Sequence, residues 1–335
     1  MGGPVSGSDI AIVGAGPAGL LAAALLARDF SVVVADPRPI GAAKSCAGLL
    51  SIEAQGLLAR LGEPEGFYDE PARLELRVFL RGRELPARPF FNVERGALQA
   101  WMAAKAEAAG ATVARAAFRS ASRAPRGWDL VFDDGKGVRA SILVGADGVA
   151  SSTRRSLGLG SVSVVSARQS VFEGRIDAAV LILERDSDGA YYCWAVPKRG
   201  GVLVGAADPA GFPDRALRSL SATLPGFSPG AQVAQERGAY TRVRSVEEVA
   251  LGVPGAFLIG EAAGLVMPSS GEGLGGALES AAALSKVLKE IGIDGARPDG
   301  PDAAVALDRY RAVLSPRLDR IAADIAFAAS FGAGS

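Results

Sequence analysis

The sequence predicts an α/β fold in which a parallel-sheet domain is interrupted by an antiparallel β-rich domain and then resumed. Three observations predict it. Near the N-terminus an apolar strand runs into a glycine turn, a helix and a second apolar strand. Between about residues 162 and 243 the texture turns β-rich. After residue 255 a buried strand and long helices return. The division expected is 8–70, 92–160 and 245–295 for the first domain, 71–91 and 161–244 for the β-rich domain, and 296–335 for a C-terminal helix.

"SDIAIVG" reads as a buried strand, "PAGLLAAALLARDF" as a helix with proline in its first turn, and "SVVVAD" as the next parallel strand. Residues 92 to 110, "NVERGALQAWMAAKAEAAG", read as an amphipathic helix closed by a glycine. "ATVARAAF", "WDLVFDDGKG" and "VRASILVGAD" read as strands, with a turn at "DDGKG". The β-rich part offers "VSVVSARQSVFEGRI", "AAVLILERDSDGAYYCWAVP" and "GGVLVGAAD", with a turn at "DSDG" and one helix near 214–224. "GAFLIGEAAG" is a strand followed by a loop. Helical stretches follow at 275–291 and 301–331, the second kinked or broken at Pro316.

The 335 residues suffice for two domains or one large core. Lys plus Arg and Asp plus Glu balance at 36 each, which points away from nucleic acid. The longest apolar run, 11–27, is broken by Gly14, Gly16, Pro17 and Gly19, so no spanning helix is expected there. "MGGPVSGSD" lacks the pattern of a secretory signal and reads as a tail. Two cysteines, Cys46 and Cys193, make no disulfide framework and suit a reducing cytoplasm. Histidine is absent, which removes Ser-His-Asp hydrolysis, Cys-His catalysis and zincin chemistry. No metal site is expected. The demanding chemistry falls to a cofactor, or to carboxylate, Lys, Tyr or Cys side chains.

"GAGPAG" sets Gly14, Gly16 and Gly19 in G-x-G-x-x-G spacing, with Ala15, Pro17 and Ala18 between them. The first glycine allows a tight turn, the second lets a pyrophosphate approach the backbone, and the third permits close helix–strand packing. Asp36 ends the second strand and is followed by Pro37 and Arg38. An acid there can accept ribose hydroxyls, which favours FAD or NAD over NADP, and Arg38 can stack on adenine.

"LVGADGVASSTRR", residues 143–155, carries Asp147-Gly148 and then Ser151 and Arg154. It resembles the second fingerprint of the flavoprotein hydroxylase superfamily typified by p-hydroxybenzoate hydroxylase. "GEAAGLVMPSSGEGLGGA", residues 260–277, resembles the third, in which a Gly-Asp pair binds the ribityl chain; here the pair is Gly260-Glu261. Arg95 matches the arginine that begins the long helix and reaches the cofactor, although by type alone it could be an exposed arginine near a helix start. Three motifs in order point to FAD. The resemblance covers nearly the whole chain and implies a Rossmann-like FAD-binding domain with an inserted antiparallel substrate sheet, with Pro268, Gly271, Gly273 and Leu274 also at the cofactor. Gly271, Gly273, Gly275 and Gly276 would let main chain lie against the flavin ring, and a helix starting near Gly273 would aim its N–H groups at the ring's N1–C2=O edge. Helix–sheet packing is expected to account for only one or two of these glycines.

Two further stretches, "KSCAGLLS" (44–51) and "YCWAVPKRGGVLVGAA" (192–207), resemble the geranylgeranyl reductase family of FAD enzymes. That family carries a Cys-Gly-Gly-like loop, here Cys46-Ala47-Gly48, and a Tyr-x-Trp-x-Phe-Pro segment, here Tyr192, Trp194, Val196 and Pro197. Tyr192 and Trp194 alternate and so share one strand face. That face lines an apolar pocket or packs a core. Cys46 is either a small buried residue or a reactive or positioning thiol. The sequence stops at Ser335 soon after its last helical stretch, which directs expectation to a smaller alkene or an aromatic rather than a long isoprenoid. The last stretch is expected to pack on the domain, with peripheral membrane contact as the alternative.

The leading expectation is an FAD-dependent reductase of a carbon–carbon double bond in an apolar small molecule. Hydride would pass from reduced FAD into a pocket lined by Cys46, Tyr192 and Trp194, with a proton from Tyr192, Cys46 or water. Two alternatives stand beside it. One is a monooxygenase or halogenase acting on an aromatic or polyketide-like substrate through a flavin hydroperoxide. The other is a non-catalytic flavin redox sensor switched at Cys46. No second dinucleotide motif is present, so NADPH, NADH and ferredoxin all stay open as electron donors, as does the oligomeric state.

Overall fold

The computed structural model describes residues 6–332 apart from 43, 134, 136, 187–188 and 208–210. The start of the expected tail and the tips of the two expected turns, at 134 and 136 and at 187–188, lie outside the described residues.

Strand β1 (Ser6–Val13), helix α1 (Pro17–Leu26) and β2 (Val32–Asp36) form the opening unit. The apolar run in β1 is continuous because both faces are covered. Ile10 and Ile12 pack toward the helices, and Ala11 and Val13 toward the Trp128, Leu130 and Phe132 side. Next come β3 (Leu49–Ser51), α2 (Ile52–Leu58), a long hairpin of β4 (Tyr68–Leu80) and β5 (Arg83–Val93), and α3 (Arg95–Ala108). Strands β6 (Thr112–Arg115), β7 (Phe118–Ala124), β8 (Gly127–Phe132) and β9 (Gly137–Gly145) lead to the short helix α4 (Ser152–Ser156).

The β-rich part holds β10 (Val164–Phe172), β11 (Ala179–Asp186), β12 (Gly189–Lys198), β13 (Gly201–Ala207), α5 (Asp214–Thr223) and β14 (Gln232–Thr241). The chain then returns through β15 (Gly252–Val253) and β16 (Ala256–Leu258) to α6 (Leu274–Ile291), α7 (Ile293–Ala296), α8 (Ala303–Val313) and α9 (Ser315–Gly332).

Two sheets result. The first runs β15-β16-β9-β1-β2-β6, with the β7–β8 ribbon attached to β9. Its β16, β9, β1, β2 and β6 are mutually parallel, which makes it Rossmann-like. The second runs β14-β10-β13-β12-β11-β4-β5-β3 and is antiparallel except where β11 meets β4. One face of the second sheet packs on α5, burying Cys193 among Ile182, Val204 and Leu220. The other carries Tyr192, Trp194, Leu203 and Tyr240 toward the first sheet's loops and α9.

Three local expectations need correction. Asn92 and Val93 belong to β5 rather than to a helix: Asn92 pairs with Leu49, and its buried amide donates to the Pro197 carbonyl at 2.8 Å. The helix starts at Arg95 because the Glu94 carboxylate accepts from the Gly96 and Ala97 N–H groups. The stretch 111–118 is two pieces, and the Ser/Arg-rich β7 that follows carries little apolar alternation to reveal it. The last helical stretch breaks at Leu314, before Pro316, since proline fits the first turn of α9 without losing a needed N–H bond.

Candidate functional site

The glycine turn at the end of β1 divides its labour. A Cβ on Gly14, whose φ is +108°, would strike the Ala146 carbonyl, and one on Gly19 would strike the Gly14 carbonyl. A Cβ on Gly16 would meet nothing within 4 Å. Helix α1 begins there with Pro17 in its first turn, no side-chain cap and no acid in that turn. Its first N–H groups are therefore available to an anion.

Asp36, 4 % exposed, holds this turn in place. Its carboxylate accepts from the Ala15 N–H at 2.9 Å, from the Arg38 N–H at 2.9 Å, and from the Arg38 guanidinium at 3.1 Å on each oxygen. Burial alone would raise this carboxyl; the Arg38 and Ala15 bonds outweigh it and hold the group below the usual range. The adjoining cleft is lined by Gly16, Arg38, Lys44, Arg95 and Gln99. Gln99 donates to the Ala15 carbonyl at 2.7 Å and accepts from the Gly41 N–H at 3.0 Å. It stands one helical turn from Arg95, so helix spacing could have revealed it.

The second and third motifs meet at Gly148 and Glu261. Asp147 turns inward: its oxygens accept from the Ser151 hydroxyl at 2.6 Å and from the Thr153 N–H at 2.9 Å. Arg154 is buried and donates to three carbonyls, those of Leu159, Ala262 and Glu248, which tie α4 to the 260–263 turn. The Glu261 carboxylate accepts from the Thr241 N–H at 3.0 Å, and its other oxygen would lie 3.8 Å from a Cβ on Gly148. Burial pushes the Glu261 carboxyl up, against the pull of Lys44, Thr241 and Arg95. A cavity of about 170 Å³ opens here, bounded by Gly148, Ser151, Arg155, Thr241 and Glu261.

The late glycines correct an expectation. Each of the four has protein where its side chain would go: the Tyr192 hydroxyl 2.9 Å from a Cβ on Gly271, Val266 at 3.3 Å from Gly273, the Glu272 carboxylate at 3.0 Å from Gly275, and the Leu265 carbonyl against Gly276. Packing therefore accounts for all four, not one or two. Helix α6 starts at Leu274 with Gly273 as its N-cap, where the glycine pattern puts it. The Gly275 N–H donates to Glu272 Oε1 at 2.6 Å, and Arg317 of α9 braces the same carboxylate at 2.9 Å. Asp324 of α9 accepts from the N–H and hydroxyl of Ser269 at 2.8 and 2.6 Å, pinning the loop before α6. Pro268 and Leu274 are buried, Pro268 within this pinned loop and Leu274 at the start of α6.

Opposite this loop lies the 45–48 segment. Arg95 Nη1 donates to Cys46 Sγ at 3.1 Å. Burial alone would raise the Cys46 thiol, but Arg95, the Gly48 N–H and Lys44 bring it below its usual value. Lys44 lines the open cleft, and its own ammonium is pushed down by the surrounding protein and by Arg95. Gly48, at φ +73°, presses on the Val93 carbonyl. Lys198 bonds Asn92 at 2.7 Å and Val93 at 3.2 Å beside it. No motif signalled Lys198.

Tyr192 and Trp194 sit on the facing strand with ring centroids 5.7 Å apart. The buried Tyr192 hydroxyl is pushed well up by desolvation and bonds Tyr240, whose oxygen accepts from Arg242 at 2.7 Å. Phe327 of α9 packs on the same cluster. So the predicted residues fall into two neighbourhoods: Gly14–Gly19, Asp36, Pro37 and Arg38 at one end, and Cys46, Tyr192, Trp194 and Gly271 at the other. Arg95, Lys44 and Glu261 lie between them.

A Rossmann-like sheet, an uncapped glycine turn and an inserted antiparallel sheet define a dinucleotide-binding flavoprotein. The chain belongs to the FAD binding domain family, whose model matches residues 7–312, and it is an FAD-dependent oxidoreductase. Protein CbrA of Escherichia coli strain K12 is 29% identical over 296 residues, with 84% of each chain covered. A geranylgeranyl bacteriochlorophyll reductase-like protein from Thermoplasma acidophilum shares the fold at a TM-score of 0.80 and 22% identity, covering 99% of this chain and 89% of that one. PqsL of Pseudomonas aeruginosa in complex with 2-aminobenzoylacetate is similar at a TM-score of 0.68 and 21% identity, covering 95% and 94%. The residues present fit FAD: the space over Gly16 is open, α1 is uncapped, and Arg95 Nε is buried without a partner among the described residues. Among the described residues no helix is long and apolar enough to cross a membrane.

Proposed function

We propose that this chain reduces a carbon–carbon double bond in an apolar substrate, isoprenoid-like or aromatic in type. The observation that carries the reading is the inner face of the second sheet. Tyr192, Trp194, Leu181 and Leu183 make an apolar wall, and Ala47, next to Cys46, packs in the cluster that holds Trp194. Bound and reduced, FAD supplies the hydride. The chain's part is to hold and orient. The open turn at Gly16 and the N-terminus of α1 take the pyrophosphate. Asp36 and Arg38 flank the adenosine end, and Glu261 with Gly148 holds the ribityl chain.

The two side chains able to give a proton are poised differently. Cys46 accepts a bond from Arg95, and Arg95 with Lys44 holds its thiol below the usual value. Tyr192 is buried among apolar groups and bonds Tyr240, so it and Cys46 both stand as candidate donors. The likeness to the Thermoplasma reductase-like protein supports the reading, and the fold shared with PqsL keeps oxygen-dependent chemistry as its rival.

Anaerobic mixing of the dithionite-reduced holoenzyme with apolar alkenes tests it. Flavin reoxidation with one saturated product per flavin is expected. Oxygen consumed in step with a hydroxylated or halogenated product, with no anaerobic turnover, would overturn the proposal. NADPH, NADH and reduced ferredoxin, tried in turn as donors, identify the physiological reductant class.

A further inference from the structure

Two polar atoms on the apolar wall have no partner among the described residues: Trp194 Nε1, a donor, and Gln169 Oε1, an acceptor. They belong to one cross-strand row. Gln169 of β10 pairs with Gly205 of β13, and Gly205 pairs with Trp194 of β12. Gly205 has no side chain because the Trp194 indole occupies that space, with Nε1 2.5 Å from where a Cβ would be. The indole thereby lies over Gly205, the residue between Trp194 and Gln169 in the row, and the Gln169 Cβ stands about 5 Å from where a Cβ on Gly205 would be.

The amide orientation of Gln169 is fixed by its neighbours. One end lies 2.6 Å from the Glu236 carboxylate and 3.4 Å from the Cys46 carbonyl, both acceptors, so that end is the NH₂ group. The other end is therefore an acceptor, and Gln169 is only 2 % exposed. The 45–48 segment roofs the row, with Cys46 on Gln169 and Ala47 against the cluster that contains Trp194. Water from bulk does not reach the Gln169 side chain freely, and a buried pair of this kind is costly to leave unmet.

We propose that the orphaned donor of Trp194 and acceptor of Gln169 form a subsite for a hydroxyl group on the substrate. A hydroxyl accepts from the indole N–H and donates to the amide oxygen, which satisfies both atoms with one functional group. A carbonyl or ether oxygen would meet only Trp194, and an ammonium only Gln169. A carboxylate or phosphate would face the Gln169 oxygen with no proton to give. The substrate class is then an alkenyl alcohol or a phenol rather than a hydrocarbon, an ester or an acid. This rests on the reading of the wall as a substrate pocket.

The test uses FAD-loaded enzyme and two probes of nearly equal shape, geraniol and geranyl methyl ether. Binding is read from perturbation of the flavin absorbance, with no turnover required. The wild type is expected to bind the alcohol at least about tenfold more tightly than the ether, since a site built for a hydroxyl rejects the analogue that lacks it. Gln169→Leu and Trp194→Phe are each expected to shrink that ratio to about twofold or less. The wild-type comparison needs no variant, so loss of folding in either variant leaves it intact. Equal binding of the two probes, or the same ratio in correctly folded variants, overturns the subsite. If the preference holds but no alkene is reduced anaerobically, the reductase reading fails and the hydroxyl site stands. If both probes are reduced without preference, the subsite fails and the reductase reading stands.

Discussion

The chain enters a helix from a glycine-rich turn twice, at α1 and at α6, and the two entrances are built on opposite principles. At α1 the outer glycines, Gly14 and Gly19, are filled by backbone from the turn itself and from Ala146, while Gly16 faces open space and the helix start is uncapped. At α6 every glycine has a protein atom in its side-chain position, and the Gly275 N–H is taken by Glu272, itself braced by Arg317. The first turn leaves the start of its helix without a side-chain cap. The second spends its glycines on bringing α6, α9 and the aromatic wall together. Glycine count alone does not distinguish them; what occupies the missing Cβ does.

The sharpest way to break this comparison is a single methyl group at each turn. Gly276→Ala puts a Cβ onto the Leu265 carbonyl and 2.8 Å from Arg317, in a helix start clamped from both sides. It is expected to cost the apo-protein about 3 kcal/mol, at the upper end for overpacking, read from urea unfolding. Gly16→Ala is expected to leave apo stability within about 0.5 kcal/mol, because its φ of −77° suits alanine and no atom lies within 4 Å. Its effect belongs to the cofactor, with FAD affinity lowered by about tenfold or more in a fluorescence titration. The reverse pattern, a tolerated Gly276→Ala beside an unfolded Gly16→Ala, would show that the two entrances have been assigned the wrong way round.

The same contrast explains what was legible in the sequence. The roles of Gly14, Gly16 and Gly19 follow from spacing because their neighbours are local: a strand end, a turn and the next helix turn. The roles of Gly271, Gly273, Gly275 and Gly276 depend on Tyr192, Val266, Glu272 and Leu265, and Tyr192 arrives from a different sheet. The motif match could not announce these protein contacts, which come from other parts of the chain. Alternation likewise put Tyr192 and Trp194 on one face, but nothing local announced Gln169, one of four polar letters in "SARQSVF", whose partners are Glu236 and the Cys46 carbonyl. Residues 71–91 were assigned to the β-rich domain, but the two strands of the β4–β5 hairpin were not separated: five arginines between residues 73 and 88 blur the alternation, and several lie on solvent-exposed positions. Short-range chemistry was readable, and long-range contact was not.

The smallest expected effect separates the two motifs by sign. Asp36, beside α1, has its folded carboxyl held low, so it contributes stability in full above the unfolded value near 3.9 and loses it as pH falls through the lower folded value. Glu261, in the turn that leads toward α6, has its folded carboxyl pushed up by burial. Its ionisation therefore opposes folding, and stability is lost as pH rises from the unfolded value near 4.3 through the folded one. Asp36→Asn is expected to lower apo stability at pH 7 by about 1 kcal/mol, discounted because Arg38 is half exposed, and the deficit should close below about pH 4. Glu261→Gln keeps an acceptor for the Thr241 N–H and removes the buried charge, so it should stabilise the apo-protein at pH 7 and have no effect at pH 4. Urea unfolding of the three proteins across pH 3.5–8 reads both differences. Curves that diverge in the same direction would mean that Glu261 is held as a charged group by Lys44 and Arg95. In that case the third motif, like the first, would be organised around a carboxylate that the fold prefers ionised.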